Sequence, residues 1–253
     1  MKLARAIVAL GDTALRRDFV VERFENEDPS MLGSSLDELA LDAEQGDEIA
    51  KEALVAVVDA FADPRAQDAV QRLREEAAGQ GLVTLERLLR RPVHPSLAPG
   101  PRSQRPPDYG YGRPLTLGER KSLAKKTDRT LLERLLGDPH PDVIRFVLRN
   151  PRLTEDDVVR FVARTPGRPD LITEVARTPK WAHRPRVRLA IVLNPLSPAE
   201  LTIPLAGLLL KHELKLVVES TNVPAPVRAA CIEHLARKYP HVNDEGSALK
   251  LPS

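Results

Sequence analysis

At 253 residues and 28.0 kDa, with 42% hydrophobic and 29% charged residues, the chain lies in the globular range, which excludes wholesale disorder and leaves room for one large domain or two ordinary ones. No apolar run approaches the ~20 residues of a membrane span, and the single cysteine, Cys231, excludes an intrachain disulfide and any multi-cysteine metal or iron-sulfur site. The net charge of +2 hides a split: residues 1–112 carry 14 Lys+Arg against 20 Asp+Glu, whereas residues 113–253 carry 24 against 16.

The chain opens on an apolar stretch, Ala6 to Leu10, that ends at Gly11-Asp12 without a small-residue cleavage site, so a cytoplasmic protein is expected. The excess of arginine over lysine, 28 to 10, together with 23 prolines, points to a GC-rich, bacterial source. Helix is favoured over strand for this first segment by its neighbours. Ser35-Leu36-Asp37-Glu38 reads as a capping box that starts a helix. From Glu48 to Phe61, Ile49, Ala53, Leu54, Val57, Val58 and Phe61 fall at spacings of three and four, one face of a helix. Asp63-Pro64 supplies N-cap and first turn for the next helix, closed near Gly79, and a third runs from Leu82 to Arg91.

Prolines crowd the stretch from Pro92 to Pro114. Proline donates no backbone hydrogen bond and fixes φ, so this stretch is expected to be an exposed linker. Beyond it a rhythm appears. Asp142 to Pro151, Asp170 to Pro179, Arg186 to Pro195 and Glu213 to Asn222 share a charged start, apolar pairs and an Asn/Thr-Pro ending or its equivalent, and a weaker copy precedes them at Glu119 to Asp128. Second helices are announced by Thr154 before Glu155-Asp156-Asp157, with acids in the first turn, and by Ser197-Pro198-Ala199-Glu200. Such helix pairs are too short to bury a core alone, so neighbours must stack.

The segments Pro185 to Leu201 and Pro226-Val227-Arg228-Ala229-Ala230 resemble the leucine-rich repeat variant family, a HEAT-like solenoid of short helices; the resemblance covers roughly residues 116–239. It implies fold and a generic binding role, without a cofactor. The spacing drops to 16 between Pro179 and Pro195, and the family's cysteine-rich segment has no counterpart. The expected fold is all-α: an acidic helical domain over 1–91, a proline-rich linker over 92–115, a basic HEAT-like α-solenoid over 116–239 and a flexible tail over 240–253.

Candidate functional residues are few. Lys180, Trp181, Arg184, Arg186 and Arg188 join the only tryptophan to four cations, a combination suited to protein hot spots and to phosphate or base stacking. The other reading is that Trp181 fills the gap at the irregular repeat while the arginines pair with acids of the preceding unit. Arg145, Arg188 and Arg228 sit in nearly the same phase and suit a structural role between units. Cys231 and His234 lie three apart on a helix, too few groups for a metal site or an activated nucleophile. His140, between two prolines, has a place at a helix start. The run Arg120, Lys121, Lys125, Lys126 and Arg129 reads as a solvated helix face. With no catalytic constellation, cofactor motif or metal spacing, the expected role is non-catalytic: a scaffold or adaptor binding another protein, the alternative being a nucleic-acid-binding repeat protein using the basic half.

Overall fold

The computed structural model describes residues 2–61, 63–90, 105–164 and 168–238. The tail expected over 240–253 and most of the proline-rich stretch, 91–104, lie outside the described residues. Among the described residues every regular element is helical. The first half holds α1 (Lys2–Val8), α2 (Thr13–Asn26), α3 (Pro29–Gln45), α4 (Glu48–Phe61), a 3-10 turn at Pro64–Ala66, α5 (Gln67–Gln80) and α6 (Val83–Leu88). The second holds α7 (Leu117–Leu123), α8 (Arg129–Leu135), α9 (Pro141–Leu148), α10 (Glu155–Val162), α11 (Pro169–Ala176), α12 (Pro179–Ala182), α13 (Pro185–Leu193), α14 (Ala199–Ala206), α15 (Lys211–Glu219) and α16 (Ala225–Lys238).

Local chemistry sets most of the boundaries. Asp12, Asp28, Asp63 and Asp128 each accept hydrogen bonds from the first free amides of the helix or 3-10 turn they open, and Thr116 and Thr154 form capping boxes with Glu119 and Asp157. His140 caps α9 through Nδ1, 3.2 Å from the amide of Asp142. Gly46 and Gly81 close α3 and α5 in the left-handed conformation, at φ 107° and 67°, which a side chain would resist. Two caps read from the sequence are corrected. Ser35 lies inside α3, because Asp28-Pro29 starts that helix seven residues earlier, and its hydroxyl donates to the Met31 carbonyl, 3.0 Å away. Ser197 turns its hydroxyl back to the Ile191 carbonyl at 2.6 Å, leaving Pro198 as the N-cap of α14 without a side-chain bond. That helix runs through Pro204 and stops two residues later.

α4 forms the axis of the first half. Its Ala50, Ala53, Leu54 and Val57 are buried against α1, α2 and α3, and α5 and α6 pack onto α3 from the other side. In the second half helices also pack beyond their immediate neighbours: α7 lies against α9 and α9 against α11, while α10 lies against α13 and α13 against α15. Side chains tie the rows across a nearly constant sequence offset. Arg129 meets Asp157 28 residues on, Arg145 meets Glu174 29 on, Arg164 donates to Leu136 O 28 back and Arg168 to Pro139 O 29 back. The buried Asn150 donates to Ala124 O at 2.7 Å, 26 residues earlier, and Asn194 donates to Val162 O, 32 earlier. Each asparagine also accepts from the amide two residues on, so one side chain caps its own turn and clamps the preceding one.

The two halves touch. α6 packs on α14, and Arg177 lies 2.9 Å from Asp59. A buried network spans α3, α6 and α16: Glu44 Oε1 accepts from Arg87 Nη1 at 2.9 Å, His234 Nδ1 lies 3.6 Å from the same oxygen, and Arg237 pairs with the second oxygen. The end of the proline-rich stretch is not uniformly exposed, contrary to expectation: Tyr109 is buried, and its hydroxyl donates to Asp138, which Arg120 also holds at 2.6 Å. Burial and that carboxylate raise the phenol pKa well above its usual value.

Candidate functional site

The five residues singled out from the sequence divide between surface and interior. Trp181, on the short helix α12, is 2% exposed, and its indole Nε1 donates to Leu148 O at 2.8 Å, 33 residues earlier. This corrects the expectation of an exposed aromatic anchor. The tryptophan ties its turn to an earlier backbone carbonyl, as Asn150 and Asn194 do. Arg188 is also interior, 8% exposed, and its Nε meets no acceptor among the described residues. Burial holds its pKa below the usual arginine value, with Glu213 and Glu48 opposing that shift. An arginine so placed cannot serve a surface contact.

The other three remain outside. Lys180 is exposed, its ammonium 4.4 Å from the centroid of the Trp181 ring and 3.5 Å from Asn150 O. Burial of its stem and the charge of Arg184 lower its pKa. Arg184 faces Glu155 at 3.8 Å and Arg186 faces Asp156 at 2.8 Å, both acids of the first turn of α10. The arginines thus pair with α10. The run from Arg120 to Arg129 divides in the same way. Arg120 is buried on Asp138, Lys121 pairs with Asp142 and Arg129 with Asp157, which leaves Lys125 and Lys126, beyond the end of α7, as the solvated pair.

Two concavities were not read from the sequence. A groove of about 740 Å³ crosses the row α10, α13, α15: Val159 and Ala163 form one wall, Leu189, Ala190 and Leu193 the floor, and Ser220 and Asn222 the far rim, with Arg186 at one end. Leu216 on α15 is 49% exposed, and the wall and floor residues are only partly covered or exposed. A cleft of about 420 Å³ opens between the halves, where Val55, Val58 and Phe61 of α4 and Leu88 of α6 face Ala176 of α11 and Leu205 of α14. Asp59 lies in that cleft beside Arg177, and burial holds its carboxyl above the ordinary range while Arg177 opposes the shift.

Cys231 is fully buried, and burial pushes its thiol up to about 12. Its neighbour His234 belongs to the network on Glu44. Among the described residues no group of three or more His, Cys, Asp or Glu is placed to hold a metal ion, and no helix is long and apolar enough to cross a membrane. Comparison with known protein families, with curated proteins and with solved structures finds no match.

Proposed function

We propose that the chain is a non-catalytic protein-binding scaffold, with helices α7 to α16 forming a HEAT-like α-solenoid of leucine-rich-repeat-variant helix pairs. The offsets of 26 to 33 residues in the side-chain ties of the second half support the repeat reading, because each tie joins equivalent points of successive units. The binding role rests on one observation, the groove across α10, α13 and α15. Three aliphatic side chains of α13 line an open surface there, where water gains nothing from their exposure. A partner helix or loop that filled the groove would remove that apolar area from water.

Replacing Leu189 and Leu193 with Asp tests this reading. Both are only partly buried, so the variant is expected to fold with unchanged helicity yet lose the partner retained by the wild type. Retention of the same partner by the folded variant would count against the groove. Nucleic acid is the less favoured partner, because the tryptophan that could have stacked on a base is interior and the arginines beside it are matched to carboxylates.

A further inference from the structure

The C-terminal ends of α7, α9 and α11 are fastened side by side along one edge of the second half. Asn150, just past α9, holds Ala124 O and Lys126 O past α7, at 2.7 and 2.8 Å. From just beyond α11, Trp181 reaches Leu148 O and Lys180 reaches Asn150 O. Five exposed cations, Lys125, Lys126, Arg149, Arg152 and Lys180, are carried on these ends. Of the ion pairs among the described residues, none involves any of the five. The acids nearest in sequence are engaged: Glu155 and Asp156 by Arg184 and Arg186, and Asp128 by the amides of Thr130 and Leu131. Positive charge is therefore in excess here, and the hydrogen bonds fix it in register with the helix ends.

We infer that this edge docks an extended acidic segment of a partner protein, its carboxylates meeting the cations of successive helix ends. The inference rests on the protein-binding reading above and adds a second surface to it. Packed helices lie about 8–10 Å apart. A polyproline II segment advances about 9 Å in three residues and returns each third side chain to the same side, so an acid at every third position meets one helix end after another. The charge favours any anion, but the surroundings favour polypeptide over nucleic acid. Trp181 is interior, and Phe146 is half-buried with Lys125 Nζ 5.4 Å from its ring centroid, so bases find no stacking platform.

The test uses the full chain and three labelled probes: a twelve-residue peptide with Glu at every third position between prolines, a peptide of the same composition with its glutamates contiguous, and a deoxythymidine oligomer of equal charge. Fluorescence anisotropy at physiological salt should show the spaced peptide binding about ten-fold tighter than the contiguous one, a modest share of the gain from linking weak contacts in register. Arg149→Glu with Lys180→Glu should abolish that preference, while Arg5→Glu with Lys215→Glu, elsewhere on the surface, leaves it intact. Should the first pair fail to fold by circular dichroism, Lys125→Gln with Arg152→Gln serves in its place. Equal binding of both peptides, tighter binding of the oligonucleotide, or equal loss in the Arg5/Lys215 variant would each overturn the inference. The Leu189/Leu193 groove variant separates this surface from the groove. It should keep the spaced-peptide preference, so loss of that preference with groove capture intact overturns the edge alone, and the converse overturns the groove alone.

Discussion

Replacing Trp181 with alanine should cost the protein about 4–5 kcal/mol of stability. The side chain is 2% exposed; a buried tryptophan removes about 150–250 Å² from water, an upper bound of about 4–6 kcal/mol at ~25 cal/mol/Å². Core truncations of this size cost about 3–5 kcal/mol once the surroundings relax, and losing the bond from Nε1 to Leu148 O adds about 1 kcal/mol. Trp181→Phe keeps most of the apolar contact and loses the bond, so about 1–2 kcal/mol is expected. Because this is the only tryptophan, unfolding should be followed by far-ultraviolet circular dichroism in urea, with wild-type fluorescence as a separate check for the blue-shifted emission of a dry indole. A cost below about 1 kcal/mol for the alanine variant, or emission typical of a wet indole, would refute the interior placement and restore Trp181 as a surface anchor.

Asn150→Ala should destabilise by about 2–3 kcal/mol, measured by the same denaturation, because it strips Ala124 O, Lys126 O and the Arg152 amide of their partner together. Arg87→Ala should cost about 3–5 kcal/mol by leaving the buried Glu44 short of one cation, and Arg87→Met with Glu44→Leu should recover much of that loss. The Asp157 carboxyl is held well below its ordinary value of 3.8 chiefly by its bonds to Arg129. Its contribution is therefore fully present above that value and is lost as the pH falls below it, and Asp157→Asn should flatten the acid limb of the stability curve. Cys231 should resist a thiol reagent in the native protein and react with one equivalent on unfolding, since it is fully buried with its thiol pushed up to about 12; ready labelling of the native chain would contradict its placement.

The readable part of the fold was the part decided within a few residues. Asp63 and Thr154 open their helical turns where the sequence puts them, because a cap is a contact between near neighbours. Ser35 misled because the same capping pattern fits inside a helix already begun at Asp28-Pro29. The Asn-Pro endings were legible as a pattern but not as contacts: Asn150 and Asn194 meet carbonyls 26 and 32 residues earlier. For Trp181 the sequence offered a surface anchor and a core filler, and the choice turned on a carbonyl 33 residues away. Tyr109 gave no local sign of burial, since a proline-rich context reads as exposed while its partner Asp138 lies in another element. The tie between Arg87 and His234 spans 147 residues, and neither concavity has a signature in any single segment. Charge was legible as a split between the halves but not as pairs: the structure shows that most cations between Arg113 and Arg186 are matched, with Lys125, Lys126, Arg149, Arg152 and Lys180 left over at the ends of α7, α9 and α11.

Photo-crosslinking from the groove floor bears most directly on the scaffold role. A benzoylphenylalanine in place of Leu189, with controls in place of Leu15 and Met31 on the exposed surface of the first half, should be carried on the full chain in its native cells. A protein-binding groove predicts a discrete protein adduct from position 189, absent from both controls and lost when Leu193→Asp is added. No protein adduct from position 189, or the same adduct at equal yield from all three positions, would contradict it.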